Sequence, residues 1–319
     1  MDHLMRADLH VHSRHSGPAD LPVLRHLGRE SYSEPRAVYE TALARGMDLV
    51  TLTDHDTVAG GIELRGLPHT FLSEEVTVIL PAGRQLHVNV FDLTEAQHAR
   101  IALKRLDPEA FFAYLAEERL PASVNHLFSA LTGPRELADL HLPLKHLSLI
   151  EALNGSMPAA HNERARLTGR FAGLAGVGGS DSHTLAGVAR AFTTVAGART
   201  REEFLDGLRR GLTVPVGRSG SYARLTSEVS RLFAAGYADA ALEAARGAMG
   251  AARLLALVAL APLLPLVPLV TALVHLHECR FGERHFRAFE ASVGGPVRPR
   301  PRGFRPRAAG PAADAALTP

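Results

Sequence analysis

Asp8-Leu9-His10-Val11-His12-Ser13 decides the reading of this chain. The apolar run over residues 7–11 predicts a strand. His10 and His12 stand two apart along it, so both imidazoles leave the same face. Three later segments also set ionisable residues after a short apolar run: Thr53-Asp54-His55-Asp56, Ser73-Glu74-Glu75-Val76 and Gly179-Ser180-Asp181-Ser182-His183. Residues at the ends of several strands converge when the strands form a barrel. Imidazole together with carboxylate suits Zn, Mn or Fe rather than a soft-ligand site. The pattern predicts the multinuclear metal centre of a hydrolase.

Composition bounds the rest. The chain has 319 residues, 46% of them hydrophobic, and a formal net charge of +2. One large α/β domain of roughly 200–250 residues plus a smaller part fits that length. The near-neutral balance gives no general case for nucleic-acid binding. A single cysteine, Cys279, excludes an internal disulfide framework and suits a reducing compartment. No secretory signal precedes the first motif, so cytoplasmic residence is the expectation.

Strand and helix patterns alternate outward from the first motif. Residues 7–11, 48–53, 71–80 and 85–91 read as strands, the last two flanking Pro81-Ala82-Gly83 as a hairpin. Ser33 is placed to cap a helix over 35–45, with Pro35 in its first turn and Gly46 just past its end. Helical patterns at 94–105 and 108–118 precede strands at 120–125 and 147–153. A helix at 160–171, strands at 175–179 and 191–195, a helix at 201–211 and a strand at 213–216 complete the series. About seven strands alternating with helices imply a parallel sheet or barrel.

The four segments, in this order, resemble the motifs of the PHP family, named for polymerase and histidinol phosphatase domains, over roughly residues 5–218. The resemblance implies an α/β fold of distorted seven-stranded β/α barrel type that holds two or three metal ions and hydrolyses phosphoesters. Matched residue by residue, His10 and His12 are the ligand pair of the first motif and His55 the ligand of the second. Glu75 is similar to the bridging carboxylate and His87 to the ligand that follows it. His126 matches the His after the fifth strand, although Leu127 replaces the usual proline, and Asp181 and His183 match the last motif. By this likeness one ion takes His10, His12, Glu75 and Asp181, a second takes Glu75, His87 and His126, and a third uses His55 and His183. Glu74 is the alternative to Glu75, since a one-residue shift on a strand changes the face. Asp8 and Asp54 are expected to orient imidazoles. Asp56 reads as a cap, and Asn154 either ends a strand or serves the site.

One departure stands out. Relatives carry Asp or His a few residues after the first motif as a further ligand of the third ion, where this chain reads Ser16-Gly17-Pro18. Gly17 has no side chain to offer, and His15 and Asp20 are the nearby substitutes. The expectation is therefore two firmly held divalent transition metals (Mn, Zn or Fe) and a weakened third site. Two ions about 3.5–4 Å apart clamp the attacking and leaving oxygens and lower the pKa of bound water towards ~7. The resemblance thus implies attack by a metal-bound hydroxide, with Glu75 and Asp181 as central carboxylates. Arg14, Arg164 and Arg190 are the candidate phosphate-binding cations.

The remainder differs in kind. Residues 219–292 read as a helical, apolar segment, and residues 254–276 hold 23 positions without Asp, Glu, Lys or Arg. A straight helix of that length, about 34 Å, would cross a bilayer core of ~30 Å. Pro262, Pro265 and Pro268 predict a bend there, hence a re-entrant wedge at the cytoplasmic face of a membrane. The competing expectation is a buried helical hairpin packed on the barrel or in an oligomer interface. Residues 293–319, with Arg298, Arg300, Arg302, Arg305 and Arg307, read as a disordered basic tail.

The functional expectation is a metal-dependent phosphoesterase acting on a small phosphorylated substrate, a nucleotide or a short RNA or DNA oligonucleotide before others, with no stable protein partner. A histidinol-phosphate-type phosphatase is the second enzyme reading. A catalytically weakened metal-binding regulatory or scaffold module is the reading that Gly17 motivates. The apolar segment alone suggests a hydrolase of a C–N or C–O bond.

Overall fold

A computed structural model describes residues 4–18 and 28–297. Asp20 and the arginines of the basic tail lie outside the described residues. The strands form two sheets. In the first, β1 (Leu4–Asp8) pairs in parallel with β2 (Leu49–Val50) and antiparallel with β8 (Ala191–Ala196), whose other edge takes β9 (Thr213–Gly217). In the second, β3 (Ser73–Ile79) and β4 (Gln85–Phe91) form the expected hairpin, closed by a 3-10 turn at Pro81–Gly83. β5 (Ala122–Val124) joins β4 antiparallel, and β6 (Leu149–Asn154) and β7 (Ala175–Gly179) follow in parallel.

Helices cover the sheets. α1 (Pro35–Ala44) starts at a proline, and its N-cap is Glu34 rather than Ser33. The short α2 (Ala59–Glu63) follows the second motif. α3 (Glu95–Lys104) begins with a capping box between Thr94 and Gln97, and α4 (Pro108–Glu117) is capped by Asp107. α5 (Leu137–His146) has no counterpart in the sequence reading, because Pro143 inside it argues against a helix. Arg84 Nε on Asp139 at 2.7 Å anchors its first turn. α6 (Ala159–Ala172) and α7 (Arg201–Arg209) lie where the periodicity puts them.

No strand ladder among the described residues closes the two sheets into one ring, so the mixed α/β layers stand without a demonstrated seven-stranded barrel. The pairing explains why. β8 takes the edge of β1 from Leu4 to Ala7, leaving only the chain beyond Asp8 free to meet β7's continuation. There single bonds join the sheets: Asp181 N–H to His10 O at 2.6 Å and His12 N–H to Ser182 O at 3.0 Å. Glu75 N–H to Asp54 O (3.2 Å) and Asp56 N–H to Glu75 O (2.9 Å) do the same on the other side, while Thr53 N–H to Val11 O (2.9 Å) extends the pairing of β1 with β2.

That approach depends on Ala175-Gly176-Val177-Gly178-Gly179. A Cβ on Gly179 would stand 2.3 Å from His10 Cβ and 2.6 Å from His10 N, and one on Gly178 would stand 2.7 Å from Phe192 O. Strand β7 is bare on the sides where β1 and β8 come closest.

The C-terminal helices form an antiparallel hairpin. α8 (Tyr222–Ala245) is followed by α9 (Ala251–Leu260), a 3-10 stretch (Ala261–Leu266) and α10 (Val267–Ser292). Arg253 bonds Asp239 at 2.9 Å, Tyr237 Oη donates to Leu257 O at 2.7 Å, Thr226 meets Thr271 at 2.7 Å, and Tyr222 Oη donates to Pro268 O at 2.9 Å. Numbers climb on one strand of the hairpin as they fall on the other, so the run from α9 to α10 keeps one direction. The expected re-entrant bend is absent: the 3-10 stretch takes up Pro262 and Pro265, Pro268 sits in the first turn of α10, and the chain reverses earlier, between Arg246 and Gly250. The far half of α10 seats on the α/β layers, where Glu278 accepts from Ala130 N–H at 3.0 Å, Phe128 meets Phe286 edge-on, and Phe289 is buried. That half lies beyond residues 254–276, to which the buried-hairpin expectation applied. The opposite face of α9 and α10, from Leu254 to Leu276, is largely exposed.

Gly179→Ala forces β1 and β7 apart and is expected to lower stability by about 1–3 kcal/mol, the usual cost of an inserted methyl in a filled space. Thermal denaturation checks this, and an unchanged Tm would contradict the close approach.

Candidate metal centre

The residues come from strands and from the segments that follow them. His10 and His12 follow β1, His55 follows β2, and Glu75 lies on β3 opposite Asn89 of β4, two residues along from His87, which pairs with Thr77. His126 follows β5, and Asp181 and His183 follow β7. All eight converge. Glu75 Oε2 lies 3.1 Å from His10 Nε2, 3.4 Å from His12 Nε2 and 3.3 Å from His55 Nδ1. Its Oε1 lies 3.3 Å from both His87 Nδ1 and His126 Nε2. Asp181 Oδ1 is 3.5 Å from His10 Nε2 and 3.4 Å from His12 Nε2. His183 stacks on His12 with ring centroids 4.3 Å apart. Glu74 points to the other face of the strand and meets His98 Nδ1 at 2.8 Å, which resolves the choice between the two carboxylates.

Two donors bound 2.0–2.2 Å from one ion stand about 3.0–3.5 Å apart in tetrahedral or octahedral geometry. The contacts around Glu75 and Asp181 have that spacing. His12 Nε2, His87 Nδ1 and His183 Nε2 are buried and make no hydrogen bond among the described residues, as expected of nitrogens whose partner is a cation. Donor atoms gather in four overlapping groups, and Glu75 belongs to two of them. These residues fit divalent transition metals.

Electrostatics agree. Burial opposes charge on Glu75, yet His10, His55 and His87 hold its carboxyl well below the usual range. Asp181, buried but facing His10, His12 and His183, is held down in the same way. Burial likewise opposes a proton on His10, while Glu75, Asp181 and Glu151 raise its proton affinity. His12, buried beside His183 and His55, is pushed down to about 3.

The groups that orient the ligands differ from those expected. Asp8 touches no imidazole; it accepts backbone N–H bonds from Ser180 at 2.8 Å and Ala189 at 2.7 Å, tying β1 to the loop after β7. Asp54 acts on His12 through a relay, since Ser16 Oγ donates to Asp54 and meets His12 Nδ1, both at 2.9 Å. Glu151 was read only as part of a strand. Its Oε1 holds His10 Nδ1 at 2.7 Å, turning Nε2 towards Glu75, and its Oε2 accepts His126 N–H at 2.9 Å. Asn125 donates to Glu75 at 2.8 Å and Asn154 to Asp181 at 3.0 Å. Asp56 accepts Thr77 N–H of β3 at 2.8 Å and so ties that strand to the second motif, where a cap on the following turn was expected. His126 and Asp181 both carry positive φ, 29° and 48°, a cost that residues holding a site in place commonly bear.

Glu30 is the residue that sequence reasoning missed. Gly17 takes φ +87°, which favours glycine, and its carbonyl accepts Glu30 N–H at 3.1 Å. The Glu30 carboxylate reaches the cluster at His55 and His183, while the space beside Gly17 stays open. Glu30 Oε2 lies 3.3 Å from His55 Nε2 and Oε1 lies 3.3 Å from His183 Nε2. Burial opposes its ionisation, but His55 and His183 drive its carboxyl far below the usual range. His15 instead faces Glu63 at 2.7 Å, away from the cluster.

A cavity of about 440 Å³ opens onto the cluster. Arg14, Arg164 and Arg190 do not line it; Arg14 pairs with Glu34 and Glu63. Arg29 does line it. Beside the polar floor stand Val229, Leu232 and Phe233 of α8 and Leu257 and Leu260 of α9.

Comparisons with known proteins agree with the motifs. The family model described as PHP-associated matches residues 159–213, a stretch that contains Asp181 and His183. An uncharacterized protein of Methanocaldococcus jannaschii is 38% identical over 72 residues, which is 23% of this chain and 41% of that protein. The chain thus spans about two-fifths of the length of the curated relative it matches. Among solved structures, PsfC from Pseudomonas syringae aligns with 74% of this chain and 97% of its own at 16% identity and a TM-score of 0.48. A protein of Bifidobacterium adolescentis, provisionally described as a metal-dependent phosphoesterase, aligns with 58% of this chain and 90% of its own at 16% identity and a TM-score of 0.39. The PHP-associated match covers the last of the four motifs, whose order along the chain resembles that of the PHP family.

Glu151→Gln is expected to weaken metal affinity about 10–100-fold, the usual effect of removing a carboxylate that orients a histidine ligand. Competition with a chelating dye measures this, and unchanged affinity would remove Glu151 from the centre.

Proposed function

We propose that this protein is a metal-dependent phosphoesterase that hydrolyses an organic phosphoester. The observation that carries the reading is Glu75, a buried carboxylate with imidazole nitrogens of five histidines within 3.4 Å of its two oxygens. Such a carboxylate is suited to bridging ions: Oε2 serves the side of His10 and His12, and Oε1 the side of His87 and His126. When bound, the ions supply Lewis acidity and a water acidic enough to attack phosphorus.

The chain's own residues do the rest. Glu151, Asn125 and Asn154 hold His10, Glu75 and Asp181 in register. Arg29 offers a cation at the rim for the phosphoryl oxygens. Glu30, His55 and His183 support a third ion, which removes the motive that Gly17 lent to the weakened regulatory reading. In this reading the two sheets, stitched at the strand ends, act as a distorted seven-stranded barrel with the site at its mouth.

Membrane contact is the second part of the proposal. The exposed face from Leu254 to Leu276 is apolar along its whole length, and residues 253–292 form a helix long and apolar enough to cross a membrane. Exposed apolar patches of this extent mark interaction sites. The hairpin lies flat on the cytoplasmic membrane face, since its other side packs on α8.

Three measurements test these readings. Purified protein supplied with Mn, Zn or Fe should hydrolyse phosphate esters and lose that activity with a chelator; inactivity with every metal would contradict the reading. Elemental analysis should show Glu75→Ala losing more metal than Glu30→Ala, because a bridge serves two ions and Glu30 one; equal losses would sink the bridging role. Flotation with phospholipid vesicles should carry the full chain upward, and Leu255→Asp with Leu269→Asp should abolish it.

A further inference from the structure

We propose that the substrate is an amphiphile: its phosphoester head sits at the histidine cluster, and an apolar tail lies in the groove between α8 and α9. This rests on the phosphoesterase reading and names its substrate class. One cavity of about 440 Å³ joins the two chemistries. Its floor is His55, Glu75, His87, His126, Asp181 and His183. Its wall is built from one face of α8, where Val229, Leu232, Phe233 and Gly236 follow at helical spacing, and from Leu257 and Leu260 of α9.

A nucleotide would ask this wall for hydrogen bonds. Tyr237 Oη already donates to Leu257 O at 2.7 Å, and Tyr32 Oη, which accepts Arg29 N–H at 3.1 Å, is the tyrosine hydroxyl left to donate. Val229, Leu232, Phe233, Leu257 and Leu260 offer no side-chain donor or acceptor, so base and ribose polar groups laid against them would lose water without replacement, a loss that disfavours binding. A methylene chain loses nothing and gains up to about fourfold in affinity for each group buried.

A second observation points the same way. The helix that turns Leu257 and Leu260 into the cavity exposes Leu254, Leu255 and Val258 on its outer side. An apolar tail therefore meets apolar surface from the outside of α9 inward to the site. No charged side chain of α9 beyond Arg253 interrupts that path.

The test is calorimetric titration of the metal-loaded full chain with butylphosphonate and octylphosphonate, non-hydrolysable monomers kept below their aggregation concentrations. The expected result is a Kd at least tenfold lower for the octyl compound, displaced by inorganic phosphate. Leu232→Asn and Leu257→Asn should flatten that ratio, while Leu255→Asn, on the outer face, should leave it in place. Equal Kd values for the two compounds in the unaltered chain would overturn the proposal. So would a nucleoside monophosphate that binds as tightly as octylphosphonate, or a ratio that survives both inward substitutions. Octyl phosphate serves as the separate arm: chain-length-dependent binding with no hydrolysis under any metal would overturn the phosphoesterase reading and leave the tail groove standing.

Discussion

A carboxylate buried among imidazoles is the interaction on which the structure depends. Glu75 is 1% exposed and faces five histidines drawn from four different strands or the segments after them. An isolated charge so deeply buried would cost far more than the fold could bear. It is sustained because the segments after β1, β2 and β5, together with β4, each bring a histidine to it. That requirement explains the bare strand β7, the bonds between the two sheets and the strained turns at His126 and Asp181. The site and the stitching of the sheets are one constraint seen from two sides.

Much of this could be read from residue order. The alternation along β3 separates Glu75 from Glu74, and the i, i+2 pair His10 and His12 needs only a strand to face one way. Thr94 and Asp107 announce their helices by side chains that satisfy the first free N–H groups. Glu30 could not be read, because its position is set by a long-range pairing with Gly17 and no local pattern marks it. Glu151 left a signal that went unused: an acidic residue between Ile150 and Ala152 on a buried strand must have a partner. The barrel expectation depended on parallel pairing throughout, and the competition of β8 for the edge of β1 is invisible without the register.

The C-terminal hairpin shows how proline evidence can mislead. Three prolines three apart remove donors from one helical run, and a bend is the usual response. Here the 3-10 geometry takes up two of them, the first turn of α10 takes the third, and paired contacts from Arg253 to Thr271 keep the run alongside α8. The result is a helix with two apolar faces, one spent on α8 and the cavity and the other exposed. Placing such a helix beside a polar centre makes the cavity chemically two-ended, a property that neither segment of sequence suggests alone.

The central claim is that Glu75 bridges ions in a multinuclear centre. Anomalous diffraction from crystals of the metal-loaded protein, collected at the Mn, Fe and Zn edges, tests it most directly. The account predicts at least two peaks about 3.5–4 Å apart, with one Glu75 oxygen bound to each, and a further peak between Glu30, His55 and His183. A single peak, or peaks that leave Glu75 without a metal contact, would contradict it.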